Sequence, residues 1–116
     1  MQLVSARAAL AKDDAWREKL WQVIQQSELY CNFLNQQSHV ILPTGTDFNS
    51  RVERARQRQS TRDMERGLQQ SLDAAVGQAR GHIQELNDLF PVRSAMMQVQ
   101  LSRLENLSCD ELQHEQ

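Results

Sequence analysis

The 116 residues are 40% hydrophobic but only 5% aromatic, enough for one domain whose core is filled mainly by Leu, Val, Ile, Ala and Met. A formal net charge of −2 argues against general attraction to DNA, RNA or anionic lipid, so any basic function has to be local. The longest strictly apolar run, Ala8 to Ala11, falls far short of the ~20 residues a bilayer needs, and Arg7 and Lys12 interrupt it as a secretory segment, so a soluble cytoplasmic protein is expected.

The first helix is predicted over about 5–37. Trp16, Leu20, Val23, Tyr30 and Leu34 recur at helical spacing, and Ile24 and Cys31 widen the stripe. Trp21 and Phe33 lie off it and are expected to offer aromatic surface to a second neighbour. Cys31 and Cys109 show neither metal-ligand spacing nor the density of a disulfide scaffold. They are therefore expected to be unpaired small hydrophobes in a reducing compartment.

"HVILPTGTD" breaks the helical pattern at Pro43 and Gly45, with Thr46 or Asp47 as the cap of the next helix. Its apolar run, Val40 to Leu42, is expected to fold back over an open end of the helices; an exposed anchor is the alternative. A short second helix is predicted over about 47–59. Its apolar positions Phe48, Val52 and Ala55 point roughly 150° away from the stripe of the next segment. One straight helix cannot bury both against the same neighbour, so a fresh start at Ser60 or Thr61 is predicted. A continuous helix that switches neighbours is the competing picture.

Met64, Leu68, Leu72, Ala75, Val76, Ala79, Ile83, Leu86 and Phe90 give the clearest periodicity, a third helix over about 61–89. Pro91 stops it and starts the last, about 92–112, with Met96, Met97, Leu101, Leu104 and Leu107 apolar. Together these predict an all-α, up-and-down bundle of three long helices plus one short one, as a single domain over 1–116 with a frayed acidic tail.

The sequence singles out one basic stretch, "RVERARQRQSTRDMER", with six arginines in sixteen positions. Arg51, Arg54, Arg58 and Arg62 fall on one helical ridge, which Arg66 prolongs. Guanidiniums in a row bind carboxylates bidentately or neutralise phosphates. Glu53, Asp63 and Glu65 dilute the charge, and no aromatic interleaves to stack a base. A merely solvated face comes first, docking to an acidic protein surface second, and nucleic acid third. A second candidate surface is the small-residue side of the third helix, Gly67, Ala74, Gly77 and Gly81, on which another helix or a second copy could rest.

Catalytic constellations do not emerge. His39, His82 and His114 are isolated, Asp13-Asp14 reads as a helix cap, and "PTGTD" lacks the spacing of a phosphate loop. Neither metal nor cofactor is expected. The expectation is a small interaction module without catalysis: an adaptor, chaperone or regulatory subunit, alone or as an oligomer. Its partner-binding residues are Arg51, Arg54, Arg58, Arg62, Arg66, Gly77, Gly81, Trp21 and Phe33. The partner is another protein with an acidic or helical surface, or a second copy. A nucleic-acid-associated regulator using the arginine ridge is the alternative, and a membrane partner is not expected.

Overall fold

A computed structural model describes residues 2–37 and 39–114, with side-chain positions for 13–37 and 39–112. It is all-α, with no strand among the described residues. The helices in chain order are α1 (Gln2–Gln37), α2 (Phe48–Asn87), α3 (Pro91–Glu105) and α4 (Cys109–His114).

Two boundaries differ from the sequence expectation. The short second helix and the predicted third are one continuous α2 of 40 residues. Between Phe48 and Arg66 there is neither Gly nor Pro to interrupt a run of good helix formers. Thr61 does not cap a new start; its hydroxyl donates to Gln37 Oε1 at 3.4 Å. The geometric conflict is resolved by a change of neighbour, with Phe48 and Ala55 left exposed. The last predicted helix is instead divided. It ends at Glu105, and α4 begins after Ser108, whose Oγ accepts from Glu111 N at 3.2 Å and donates to Glu111 Oε1 at 3.1 Å. Two of the helices are long, not three.

The polar contacts between α1 and α2 show them antiparallel. Trp16 stacks on His82 with ring centroids 6.0 Å apart, Tyr30 OH donates to Glu65 at 3.2 Å, and Gln37 meets Thr61. Pro91 in the first turn of α3 turns the chain back along α2. Ser94 is buried there, and its hydroxyl donates to Ile83 O at 2.9 Å. Trp16 Nε1 donates to Gln100 Oε1 at 2.9 Å, and Arg93 lies 3.3 Å from Asp13, joining α3 to α1.

The main core cluster is made by Trp16, Val23, Ala75, Ala79, Ile83, Leu86, Met97 and Leu101, with Leu20, Leu72, Val76, Phe90 and Leu104 against it. These residues come from one end of the α1–α2 pair and from α3. Every buried residue of α2 lies between Ala75 and Leu86. The molecule is correspondingly long, 75 × 24 × 17 Å. Its radius of gyration of 20.2 Å far exceeds the roughly 13 Å of a compact chain this size.

Cys31 and Cys109 are joined in a disulfide across a sequence separation of 78, with Cα atoms 5.6 Å apart. This corrects the expectation of free thiols. Their spacing in sequence carries no sign of pairing; the return of the chain through α2 and α3 brings them together. The bond ties α4 to α1, and Leu112 is buried beside it.

Candidate protein-docking surface

The segment between α1 and α2 is built to lie on α2. Pro43 keeps it extended, and Arg54, half-buried, donates from Nη1 to Pro43 O at 2.9 Å and to Gly45 O. A Cβ on Gly45 would come within 2.5 Å of Ser50 Oγ and 2.7 Å of Asp47 Oδ1, so any larger residue there has to push those two side chains aside. Asp47 is the N-cap residue of α2, and Ser50 Oγ donates to its carboxylate at 2.6 Å. That hydrogen bond, first among several causes, holds the Asp47 carboxyl below its ordinary value. Its support of the helix start is therefore present above the unfolded carboxylate range and is lost as pH falls through the lowered folded value.

Arg54 is thus a structural arginine of the ridge rather than a free contact group. Arg51, Arg56, Arg58, Arg62 and Arg66 are exposed and form no ion pair among the described residues. The acids of the same stretch are engaged elsewhere. Glu53 accepts from Gln57 Nε2 at 3.5 Å, Asp63 from Gln59 Nε2 at 3.0 Å, and Glu65 from Tyr30. The spacings 54/58, 58/62 and 62/66 place like charges at i, i+4, each unfavourable by about 0.2–0.5 kcal/mol. Opposite charges stand at i, i+3 in Glu53/Arg56, Arg62/Glu65 and Asp63/Arg66, but none of these pairs closes to an ion pair.

A depression of about 260 Å³ lies between the returning segment and this ridge, lined among others by Val40, Leu42, Gln57, Arg58 and Arg62. Gln57 Oε1 is shut off from solvent and has no hydrogen-bond partner among the described residues. The amide orientation follows from Glu53, a pure acceptor that has to face the NH2 group. The apolar run Val40 to Leu42 does not close over an end of the helices: Ile41 is 89% exposed and Val40 is exposed beside it.

The remaining sequence candidates separate. Trp21 is 52% exposed, but Phe33 is 5% exposed and belongs to the packed interior, so it offers no spare aromatic surface. Angular distance from the Trp16 stripe is a poor guide there because buried positions along α1 are not confined to one straight line. Nothing lies within 4 Å of a Cβ built on Gly67, Gly77 or Gly81, so no helix of the described chain rests on that ridge. Of the methionines expected as core filler, Met97 is buried while Met64 and Met96 are exposed. Met96 joins Val92 and Val99 in an exposed stripe on the outer face of α3 that sequence periodicity did not reveal. Adjacent Met96 and Met97 point about 100° apart, and only Met97 turns into the core cluster. His82 is buried and stacked on Trp16, whereas His39 is exposed.

Comparison with protein-family models, curated proteins and solved structures finds no match. Function therefore rests on this chain's own surfaces.

Two sets of variants test these local assignments. Gly67→Ala, Gly77→Ala and Gly81→Ala should each stabilise the protein by about 0.5–1 kcal/mol in urea unfolding, since a methyl meets open space and helix propensity improves. Gly45→Ala should instead lose about 0.5–1 kcal/mol by displacing the Asp47–Ser50 hydrogen bond. Equal effects at all four positions would contradict the close approach at Gly45. Arg58→Gln with Arg62→Gln should leave helicity unchanged and stability equal or a few tenths of a kcal/mol higher. Arg54→Gln should cost about 1 kcal/mol by releasing the segment it holds.

Proposed function

We propose that the chain is a protein–protein interaction module, an adaptor, chaperone or regulatory subunit that acts by helix-face binding without catalysis. The observation that carries this reading is the outer length of α2. Residues 48–74 form a regular helix without one fully buried residue, bearing exposed arginines that make no ion pair among the described residues. Apart from half-buried Val52, Leu68 and Leu72, that surface gains little from packing. Binding a partner along that length would supply the missing contacts and offset the like-charge repulsion. The frame is an up-and-down arrangement of α1, α2 and α3, with the core at one end and the basic length projecting from it.

The partner class is a protein presenting carboxylates, or the helical surface of a second copy. Exposed Trp21 and the open side at Gly77 and Gly81 are secondary contact surfaces. No helix of the described residues is long and apolar enough to cross a bilayer. The disulfide favours an oxidising compartment over the reducing cytoplasm first expected, because such bonds persist where glutathione and thioredoxin do not reduce them.

Affinity capture with and without nuclease tests the reading. Wild-type protein should retain a partner protein after nuclease treatment, and a variant with Arg51, Arg56, Arg58, Arg62 and Arg66 all changed to Gln should not. Capture abolished by nuclease, with affinity falling steeply against log salt, would favour the nucleic-acid alternative. Retention unchanged in the Gln variant would remove the arginine ridge from the interaction.

A further inference from the structure

We infer that the depression beside Arg58 and Arg62 is a docking site for an acidic peptide segment of a partner protein, one that places an aliphatic side chain next to an Asp or Glu. The inference deepens the proposed function and rests on it: that reading supplies the basic surface, and this one names the part of it that recognises sequence.

Two features converge within one small site. Arg58 and Arg62 are one helical turn apart on α2, exposed, and without an ion pair among the described residues. Two adjacent guanidiniums form a fork for carboxylate oxygens that water alone otherwise solvates. Val40 and Leu42, on the segment that Arg54 holds against α2, give the site an apolar wall. A volume of about 260 Å³ suits a side chain and the backbone next to it better than a drug-sized ligand, whose pockets start at roughly 300 Å³. No Asp or Glu among the described residues lines the site.

Charge complementarity selects the occupant. A peptide segment carries a carboxylate and an aliphatic group on adjacent residues; a second copy offering Asp88 and Leu89 instead would appear as a concentration-dependent dimer that competes with the peptides, and would overturn the peptide reading. A nucleic acid would satisfy the guanidiniums but leave Val40 and Leu42 without an apolar partner. A peptide segment satisfies both. The wall is preorganised by Arg54, so little ordering cost is added on binding.

The test is an array of synthetic decapeptides in which the number of acidic residues and the presence of a neighbouring Leu, Ile or Val vary independently, probed with the full chain. Peptides with both features should bind best; replacing the acids by their amides, or the aliphatic residue by Ala, should each weaken binding about tenfold. Arg58→Gln with Arg62→Gln should abolish the preference for acids, and Leu42→Ala the preference for the aliphatic neighbour. Arg17→Gln with Lys19→Gln, on α1 and outside the basic length of α2, should change affinity less than about threefold. Circular dichroism confirms that each variant is folded. If no acidic-aliphatic peptide binds, or if the Arg17/Lys19 variant loses as much as the Arg58/Arg62 variant, the site is wrong. The interaction-module reading then still stands or falls on affinity capture. A single-stranded DNA probe that outcompetes every peptide at 150 mM salt would overturn both.

Discussion

Leu101→Ala is expected to lower the unfolding free energy by about 2–4 kcal/mol, and Leu86→Ala by a similar amount, each lowering the melting temperature by about 10–15 °C. Both side chains are essentially inaccessible, Leu101 at 0% and Leu86 at 2% exposure, and both belong to the cluster where α1, α2 and α3 meet. Truncation removes buried methyl groups and leaves a cavity that helices fixed by Pro91, the Ser94–Ile83 bond and the Trp16–Gln100 bond can close only in part. Val92→Ala and Val99→Ala, on the outer face of the same helix, serve as controls and should stay within about 0.5 kcal/mol. Urea titration followed by far-ultraviolet circular dichroism measures both sets. Equal losses from the inner and outer positions would mean that α3 does not bury the face carrying Met97 and Leu101.

The effect should be large because so much cooperativity is concentrated at one end. An all-α fold and the stripe Ala75, Ala79, Ile83, Leu86 were legible in the sequence, because helical periodicity reports burial directly wherever a helix has one dominant neighbour. The same logic failed around residue 60. There the apolar positions changed direction, which marks a change of neighbour, and a break and a bend-free switch give the same pattern. Local chemistry held the deciding information: with no Gly or Pro from Phe48 to Arg66, the backbone had no reason to stop. Ser108 and Glu111 show the converse case. Their capping-box spacing marks the start of α4, but the apolar run of the preceding helix continues through Leu107 and hides the break.

The docking surface was only partly legible. The arginine ridge is visible as spacing, yet its division into structural Arg54 and unpaired Arg58 and Arg62 depends on a segment folding back from eleven residues away. Nor does sequence reveal that Glu53, Asp63 and Glu65 turn to glutamine and tyrosine donors instead of the arginines. Those choices are made by side-chain geometry across elements. Phe33 and Trp21, which look alike as off-stripe aromatics, end on opposite sides of the burial scale for the same reason.

Removal of the disulfide has the other large expected effect. Cys31→Ser with Cys109→Ser, or treatment with a dithiol reductant, should destabilise the protein by about 2–4 kcal/mol. Closing a loop with a sequence separation of 78 restricts the unfolded chain, an entropic effect with an upper value of about 4.5 kcal/mol at 25 °C. The native state contributes as well, because α4 is a six-residue helix with little of its own to hold it beyond buried Leu112. Hydrogen exchange should separate the two contributions. Release of α4 alone predicts lost protection confined to 106–114, whereas a shift in global stability lowers protection at Ala79, Ile83 and Leu86 by the same factor. Both are expected together, with the larger loss of protection in α4. Reductant should leave the double Ser variant unchanged. If melting of the wild-type chain is also insensitive to reductant under conditions where free thiols are titrated, the bond does not stabilise this fold, and the reason to place the protein in an oxidising compartment goes with it.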